Sequence, residues 1–204
     1  MTRNEVCRLL GVAPETSERL AAYVAVLGEW QPRLKLIGPG TVDEIWSRHV
    51  LDCGQIARHV PPTCRRLVDL GSGAGLPGLI LAIMGVAGVE MVERDESKVA
   101  FLHAAANVCD VDVGIHGMSI EDLPRGPADV VTARALAPLD VLLPIAAPFL
   151  GEGSVAIFPK GMSVDEELKS AARHWHMWFS RHPSLSDTRS SVLVINRIHH
   201  DSRP

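Results

Sequence analysis

Residues 67–78, Leu-Val-Asp-Leu-Gly-Ser-Gly-Ala-Gly-Leu-Pro-Gly, hold the densest chemical signal in the chain. An apolar run carrying one carboxylate, Asp69, leads into Gly71, Gly73, Gly75 and Gly78. Apolar-then-glycine is the pattern of a buried strand that turns tightly into a helix. Glycine admits positive φ and lets a ligand lie against bare backbone. Pro77 suits the first turn of a helix, where no amide hydrogen is required. The free amides of that helix start then face whatever sits across the turn. Such a turn serves a nucleotide or a nucleoside, and the chemistry depends on which.

The spacing G-x-G-x-x-G occurs at 73–78, which alone is weak support for NAD. It begins late, because Gly71 is the first glycine after the apolar run; in frame the pattern is Asp69-x-Gly71-x-Gly73-x-Gly75, closed by Leu76. A carboxylate two residues before the first glycine repels a diphosphate and favours a cationic ligand. S-adenosylmethionine carries an ammonium and a sulfonium and no phosphate, so Asp69 shifts the expectation from a dinucleotide to that donor. Glu93 ends the next apolar segment, about 20 residues on, where a carboxylate takes ribose hydroxyls. The competing reading is that Glu93 or Asp95 caps a helix beginning near Ser97. Ile120 and Glu121 lie in a loop that either flanks an adenine or is an ordinary capping turn. Arg134 follows the apolar segment 128–132, at a strand's carboxyl end, where ligand crevices of open α/β sheets lie. There it either holds a substrate phosphate or base, or is solvated or ion-paired.

The elements that must position these groups follow from periodicity. Residues 1–62 read as a helical extension packed on the core, and 63–204 as the ligand-binding domain. A helix starting after Thr16 places Leu20, Tyr23, Val24, Leu27 and Trp30 on one face. Residues 32–40 read as a loop, and Thr41-Val42-Asp43-Glu44 as a capping box opening a helix through Val60. Strands are expected at 66–71, 88–93, 111–116, 128–132, 153–159, 174–181 and 191–198, and helices at 76–86, 97–109, 137–150 and 163–173. This alternation implies a mostly parallel seven-stranded sheet covered on both faces, closed by an antiparallel C-terminal hairpin.

Composition bounds the function. The chain has 204 residues, 47% of them hydrophobic, and a formal charge of −4, so nucleic acid must be met by a local basic patch. Cys7, Cys53, Cys64 and Cys109 have no metal-type spacing and read as reduced thiols. The N-terminus lacks a signal-peptide core, and no apolar run is long enough for a bilayer. A cytoplasmic protein without membrane or metal partners is expected. His174, His176 and His182 alternate with Trp175, Met177 and Phe179, which reads as a half-buried strand with the three apolar residues inward. His199 and His200 read as part of a polar tail running to Pro204.

The segment 69–78 resembles the ligand loop of the bacterial glucose-inhibited division protein B family, the 16S ribosomal RNA guanine-N7 methyltransferases. Arg48-His49-Val50-Leu51-Asp52, Ser97-Lys98-Val99-Ala100-Phe101-Leu102, Ile120-Glu121, Ala133-Arg134-Ala135 and Pro159-Lys160-Gly161 agree in order and spacing. The resemblance spans 20–198, departing at Lys35-Leu36, where the family has asparagine-leucine. It implies a Rossmann-like class I S-adenosylmethionine-dependent methyltransferase. It also implies that Gly71, Leu76, Ile120, Glu121 and Arg134 bind the donor and that Glu93 takes its ribose. Arg48, His49 and Lys160 fall on the RNA side, aligning substrate with Arg134. Guanine N7 has a free lone pair, so alignment is needed and no catalytic acid or base is expected. The resemblance makes ribosomal RNA or the small ribosomal subunit the partner. Surface cations to grip it are Arg33, Lys35, Arg48, Arg65, Arg66, Arg94, Lys98, Arg134 and Lys160.

Overall fold

The computed structural model describes residues 1–201. Two helices open the chain, α1 (Arg3–Leu10) and α2 (Pro14–Leu34). A π-helical turn (Trp46–Leu51), the short α3 (Asp52–Gly54) and a 3-10 turn (Gln55–His59) follow. The remainder alternates: β1 (Leu67–Leu70), α4 (Gly78–Ile83), β2 (Val89–Val92), α5 (Glu96–Val108), β3 (Gly114–His116), β4 (Ala128–Thr132), α6 (Leu139–Ala146), β5 (Leu150–Lys160), α7 (Val164–Ala171), β6 (Trp175–Pro183) and β7 (Ser191–His200). The sheet runs β3-β2-β1-β4-β5-β7-β6. Pairings from β3 to β5 are parallel, while β7 is antiparallel to both β5 and β6. The expected seven-stranded sheet and closing hairpin are both present, with β7 inserted between β5 and β6.

Strand alternation sends neighbouring residues to opposite faces. Leu67, Met91 and Ile157 join α1, α2, α4 and α5 residues such as Val6, Leu20, Leu27, Leu79 and Phe101 in one core. Val68, Val92 and Phe158 join Leu139, Leu142, Phe149 and Val164 in the other. The N-terminal helices thus share the apolar core beneath β1, and Trp30 meets Phe101 edge-on at 5.8 Å.

Several expected boundaries move. The chain opens with a capping box at Thr2 and Glu5, so α1 precedes the expected first helix. Helix α2 continues through Pro32 to Leu34 and ends at Lys35 in the left-handed region. Gly28, four residues before Pro32, is exposed, so water can serve the carbonyl that the proline leaves without a donor. Thr41 is no N-cap: its hydroxyl donates to the Gly38 carbonyl at 2.8 Å, and the helix expected over 41–60 is split into π, α and 3-10 pieces. A register shift opposite Trp178 and Phe179 leaves Asn196 of β7 as an extra residue. Trp175 and Met177 pack on the second core as expected, whereas Phe179 is exposed. His199 and His200 are paired residues of β7, and only 202–204 of the expected tail lie outside the described residues.

Candidate active site

The carboxyl ends of the parallel strands open on a cleft of about 1030 Å³. The glycine turn forms its floor and is over-determined by hydrogen bonds. Ser72 N–H donates to the Val92 carbonyl at 3.0 Å, and Gly75 N–H to the Ser72 carbonyl at 2.8 Å. From α2, the buried Tyr23 hydroxyl donates to the Ala74 carbonyl at 2.8 Å. Sequence reasoning placed Tyr23 only in the core; the hydrophobic face of α2 gave no sign of this second duty. Gly71, Gly73 and Gly75 have φ of +68°, +55° and +78°, conformations that L side chains rarely adopt.

Glu93 is buried at the cleft wall, where it braces the glycine turn instead of capping α5. One carboxylate oxygen accepts from Gly73 N–H and the other from Asp95 N–H, each at 2.9 Å. Capping of α5 itself falls to Asp95, which accepts from Ser97 and Lys98 amides. Ile120 and Glu121 form a 3-10 turn that lines the cleft beside Met118 and Ser119. Gly71, Gly73 and Leu76 also line it.

Asp69 and Gly75 do not. Asp69 is fully buried beneath the turn, where one carboxylate oxygen accepts from Gly78 N–H at 3.1 Å. Its other oxygen has no partner. Burial pushes its pKa up to about 7, opposed by the Gly78 amide. A Cβ on Gly78 would stand 2.8 Å from that carboxylate, so Asp69 and Gly78 are packed against each other. The β1 pleat turns Asp69 inward under the loop, which removes the electrostatic argument that Asp69 selects a cationic ligand. A Cβ on Gly75 would lie 2.7 Å from the Leu79 Cβ, so that glycine faces the core rather than the cleft.

Arg134 leaves β4 at the cleft and reaches across to the N-terminal extension. Its Nε donates to Asp52 at 2.8 Å and one terminal nitrogen to the Arg48 carbonyl at 2.9 Å. The other terminal nitrogen lies 3.2 Å from His49 Nδ1. Guanidinium has only hydrogens to give, so Nδ1 accepts and the His49 proton sits on Nε2. That nitrogen lies 2.8 Å from the Thr41 hydroxyl, whose own hydrogen goes to Gly38. Burial, reinforced by the Arg134 charge, lowers the His49 pKa to about 4, so the ring is neutral. Asp52 also accepts from the Ser186 hydroxyl at 2.7 Å, and Gln55 accepts from Leu185 N–H at 2.7 Å. These contacts tie the loop between β6 and β7 to the same bracket.

The remaining expected cations divide. Lys160 is buried, with Nζ 3.0 Å from the Ala137 carbonyl and 2.8 Å from Glu167. Arg48 pairs with Asp187 at 3.0 Å on the cleft rim. Arg94 and Lys98 line the cleft without an ion pair among the described residues. Arg65 and Arg66 precede β1 at the opposite edge of the sheet, where Arg66 pairs with Glu90 at 2.9 Å, so those two cannot contribute to the cleft rim. The buried Cys53 thiol near Arg134 is pushed up by burial and is no ready nucleophile.

Comparison with known proteins then places the chain. A profile of the family described as rRNA small subunit methyltransferase G matches residues 16–191. The chain belongs to the rRNA small subunit methyltransferase G family. It is 50% identical over 188 residues to the ribosomal RNA small subunit methyltransferase G of Rhodospirillum rubrum, covering 92% of this chain and 94% of that one. It is 46% identical over 198 residues to that of Paramagnetospirillum magneticum, covering 97% of each. Among solved structures, the ribosomal protein L11 methylase of Lactobacillus delbrueckii subsp. bulgaricus superposes with a TM-score of 0.59 at 19% identity, over 72% of this chain and 77% of that one. A T. thermophilus 16S rRNA methyltransferase in complex with AdoMet and guanosine gives 0.55 at 18% identity, over 77% and 41%. These two likenesses establish the Rossmann-like methyltransferase fold. His49 lines the cleft with its Nδ1 lone pair engaged by Arg134.

Proposed function

We propose that the chain transfers the methyl group of S-adenosylmethionine to N7 of a guanine in 16S ribosomal RNA, in the cytoplasm. Family membership carries the reading, and the cleft is consistent with it. Gly73 fits a close ligand: a Cβ there meets nothing nearer than the Gly71 carbonyl at 4.0 Å, so bare backbone faces open cleft. When bound, the donor supplies a methyl group activated by its sulfonium. Gly71, Gly73 and Leu76 would lie along it, Glu93 would accept from its ribose hydroxyls, and Ile120 and Glu121 would flank its adenine.

Nothing need remove a proton, since N7 of guanine is unprotonated and in-plane at neutral pH. The chain's work is alignment at near-attack distance and exclusion of water. Arg134 and neutral His49 hold residues 48–52 against the end of β4. Lys160 holds the start of α6 through Ala137 and Glu167, whose carboxylate also accepts from Leu139 N–H. All three act as positioning residues, and residues 1–62 serve as the extension that completes the cleft. Arg94 and Lys98 remain to meet phosphates at the rim, where Arg48 is held by Asp187. Calorimetry tests the cofactor half: S-adenosylhomocysteine binds and NAD does not, and the reverse order refutes the reading.

A further inference from the structure

The two C-terminal strands carry an exposed aromatic and cationic stripe outside the cleft. Strand β7 begins beside Lys160 and runs antiparallel to β5, away from the site. Arg197 lies six residues along from Ser191, roughly 20 Å at the rise of an antiparallel strand. On this outer half Trp178 is paired with Arg197, and His176 with His199. The Arg197 guanidinium sits 5.5 Å from the centre of the Trp178 ring. The His176 and His199 rings stack with centroids 6.5 Å apart and planes 18° from parallel. Trp178 is 55% exposed and Phe179 41%. Beside Arg197 a concavity of about 540 Å³ separates β7 from the start of β5, with Asn196, Gly151 and the acidic Glu152 on its wall.

We propose that this ribbon is a second RNA-docking surface, on which an unpaired stretch of the substrate RNA stacks bases against Trp178 while its phosphates meet Arg197. The inference rests on the reading of the chain as an RNA methyltransferase. Arg181 and Arg189 pair with Asp165 and Asp187, whereas Arg197, over the Trp178 ring, has no ion pair among the described residues. That unpaired guanidinium complements phosphate. An indole face beside a guanidinium is the composition of a stacking platform for single-stranded nucleic acid. A second copy of this chain would bring the arginines of both ribbons together across a two-fold axis. Asn196 and Glu152 give the adjoining concavity groups suited to the edge of a base rather than to an apolar side chain.

The test uses the full chain as wild type, Trp178→Ala, Trp178→Phe and Arg197→Ala, with unmethylated 16S RNA. Kd for RNA, kcat and KM for methyl transfer, affinity for S-adenosylhomocysteine and sedimentation are measured together. Trp178→Ala raises Kd and KM about ten-fold, the loss of one stacked base, with kcat and S-adenosylhomocysteine affinity unchanged. Trp178→Phe restores most of the affinity. Arg197→Ala weakens binding and flattens the salt dependence by about one counterion. Unchanged RNA affinity in Trp178→Ala overturns the proposal, and a change confined to sedimentation assigns the ribbon to self-association instead. A wild type that binds RNA without transferring methyl overturns the enzymatic reading while leaving the ribbon to be judged on Kd. A wild type that does not bind RNA overturns both.

Discussion

Arg134 Nε lies 2.8 Å from the Asp52 carboxylate, and this contact bridges residues 82 positions apart in the chain. It joins the end of β4 to the helical extension, and both residues line the cleft. Of the two roles its sequence position left open, substrate contact or ion pairing, the structure shows the ion pair. Its contacts fix where Arg48, His49 and Asp52 stand.

Arg134→Ala accordingly affects both stability and turnover. It strands a largely buried carboxylate and frees His49 and the Arg48 carbonyl. The expected loss is on the order of 3 kcal/mol, or about 10 °C in Tm, with a fall in kcat/KM. Arg134→Lys keeps the charge but cannot fork to three acceptors, so it recovers only part. Thermal unfolding and steady-state assays of the two variants check this. A variant with wild-type Tm and impaired turnover would show instead that Arg134 acts directly on substrate.

Two buried groups give opposing pH dependence. His49 titrates near 4 when folded against 6.5 when unfolded. Its contribution is intact above pH 6.5 and is lost as pH falls toward 4, because the unfolded chain takes up the proton first. Asp69 titrates near 7 when folded against 3.8 when unfolded. It favours the fold increasingly as pH falls through 7, because the folded chain takes up the proton first. Between about pH 6.5 and 4 the two nearly cancel. Asp69→Asn removes the second and exposes the first, so the variant loses stability at about 1.4 kcal/mol per pH unit relative to wild type in this window. Urea unfolding of both proteins at pH 8, 6 and 4.5 measures it; parallel curves would refute the assignment.

The glycines of the turn separate into two kinds. Gly78→Ala drives a Cβ to 2.8 Å from Asp69 and 3.0 Å from the Met91 side chain. It destabilises by about 1–3 kcal/mol through overpacking. Gly73→Ala meets no atom closer than 4.0 Å. It costs about 1–2 kcal/mol for its left-handed backbone but projects a methyl into the donor's space. Donor affinity therefore falls further in Gly73→Ala than in Gly78→Ala, as calorimetry with S-adenosylhomocysteine will read.

Asp187 holds both Arg48 and Arg189 at 3.0 Å on the rim. Hydrogen bonds from Arg189 and Arg48 keep its carboxyl well below the usual range, so it stays charged. Asp187→Asn releases Arg48 to bind phosphate. KM for RNA falls several-fold, and the slope of log Kd against log salt steepens by about one. Kd series at several salt concentrations check it.

The framework of the site was legible wherever it is written locally. Leu67 to Gly78 specified a buried strand and a glycine turn, and β4 ends where its apolar run ends. Glu93 falls at the cleft because strand length and spacing put it there. Other features depend on partners distant in sequence. Nothing near Lys160 announces Glu167 and Ala137 as its partners, and nothing near Tyr23 announces the Ala74 carbonyl. The inward turn of Asp69 depends on Gly78 folding back over it. Phe179 pairs with Ile195 on the core-facing side yet is exposed on the edge strand β6, which side-chain alternation cannot disclose. One local signal was readable and passed over: Thr2 and Glu5 have the spacing of the capping box that α1 uses.

The central claim is tested most directly by supplying methyl-labelled S-adenosylmethionine and unmethylated 16S RNA, then locating the label chemically. Methylation at N7 leaves a guanine with a fixed positive charge, whose glycosidic bond becomes labile after reduction, so aniline cleaves the strand there. The account predicts labelled RNA cut at one guanine. Label on another atom or base, or on protein, would contradict it.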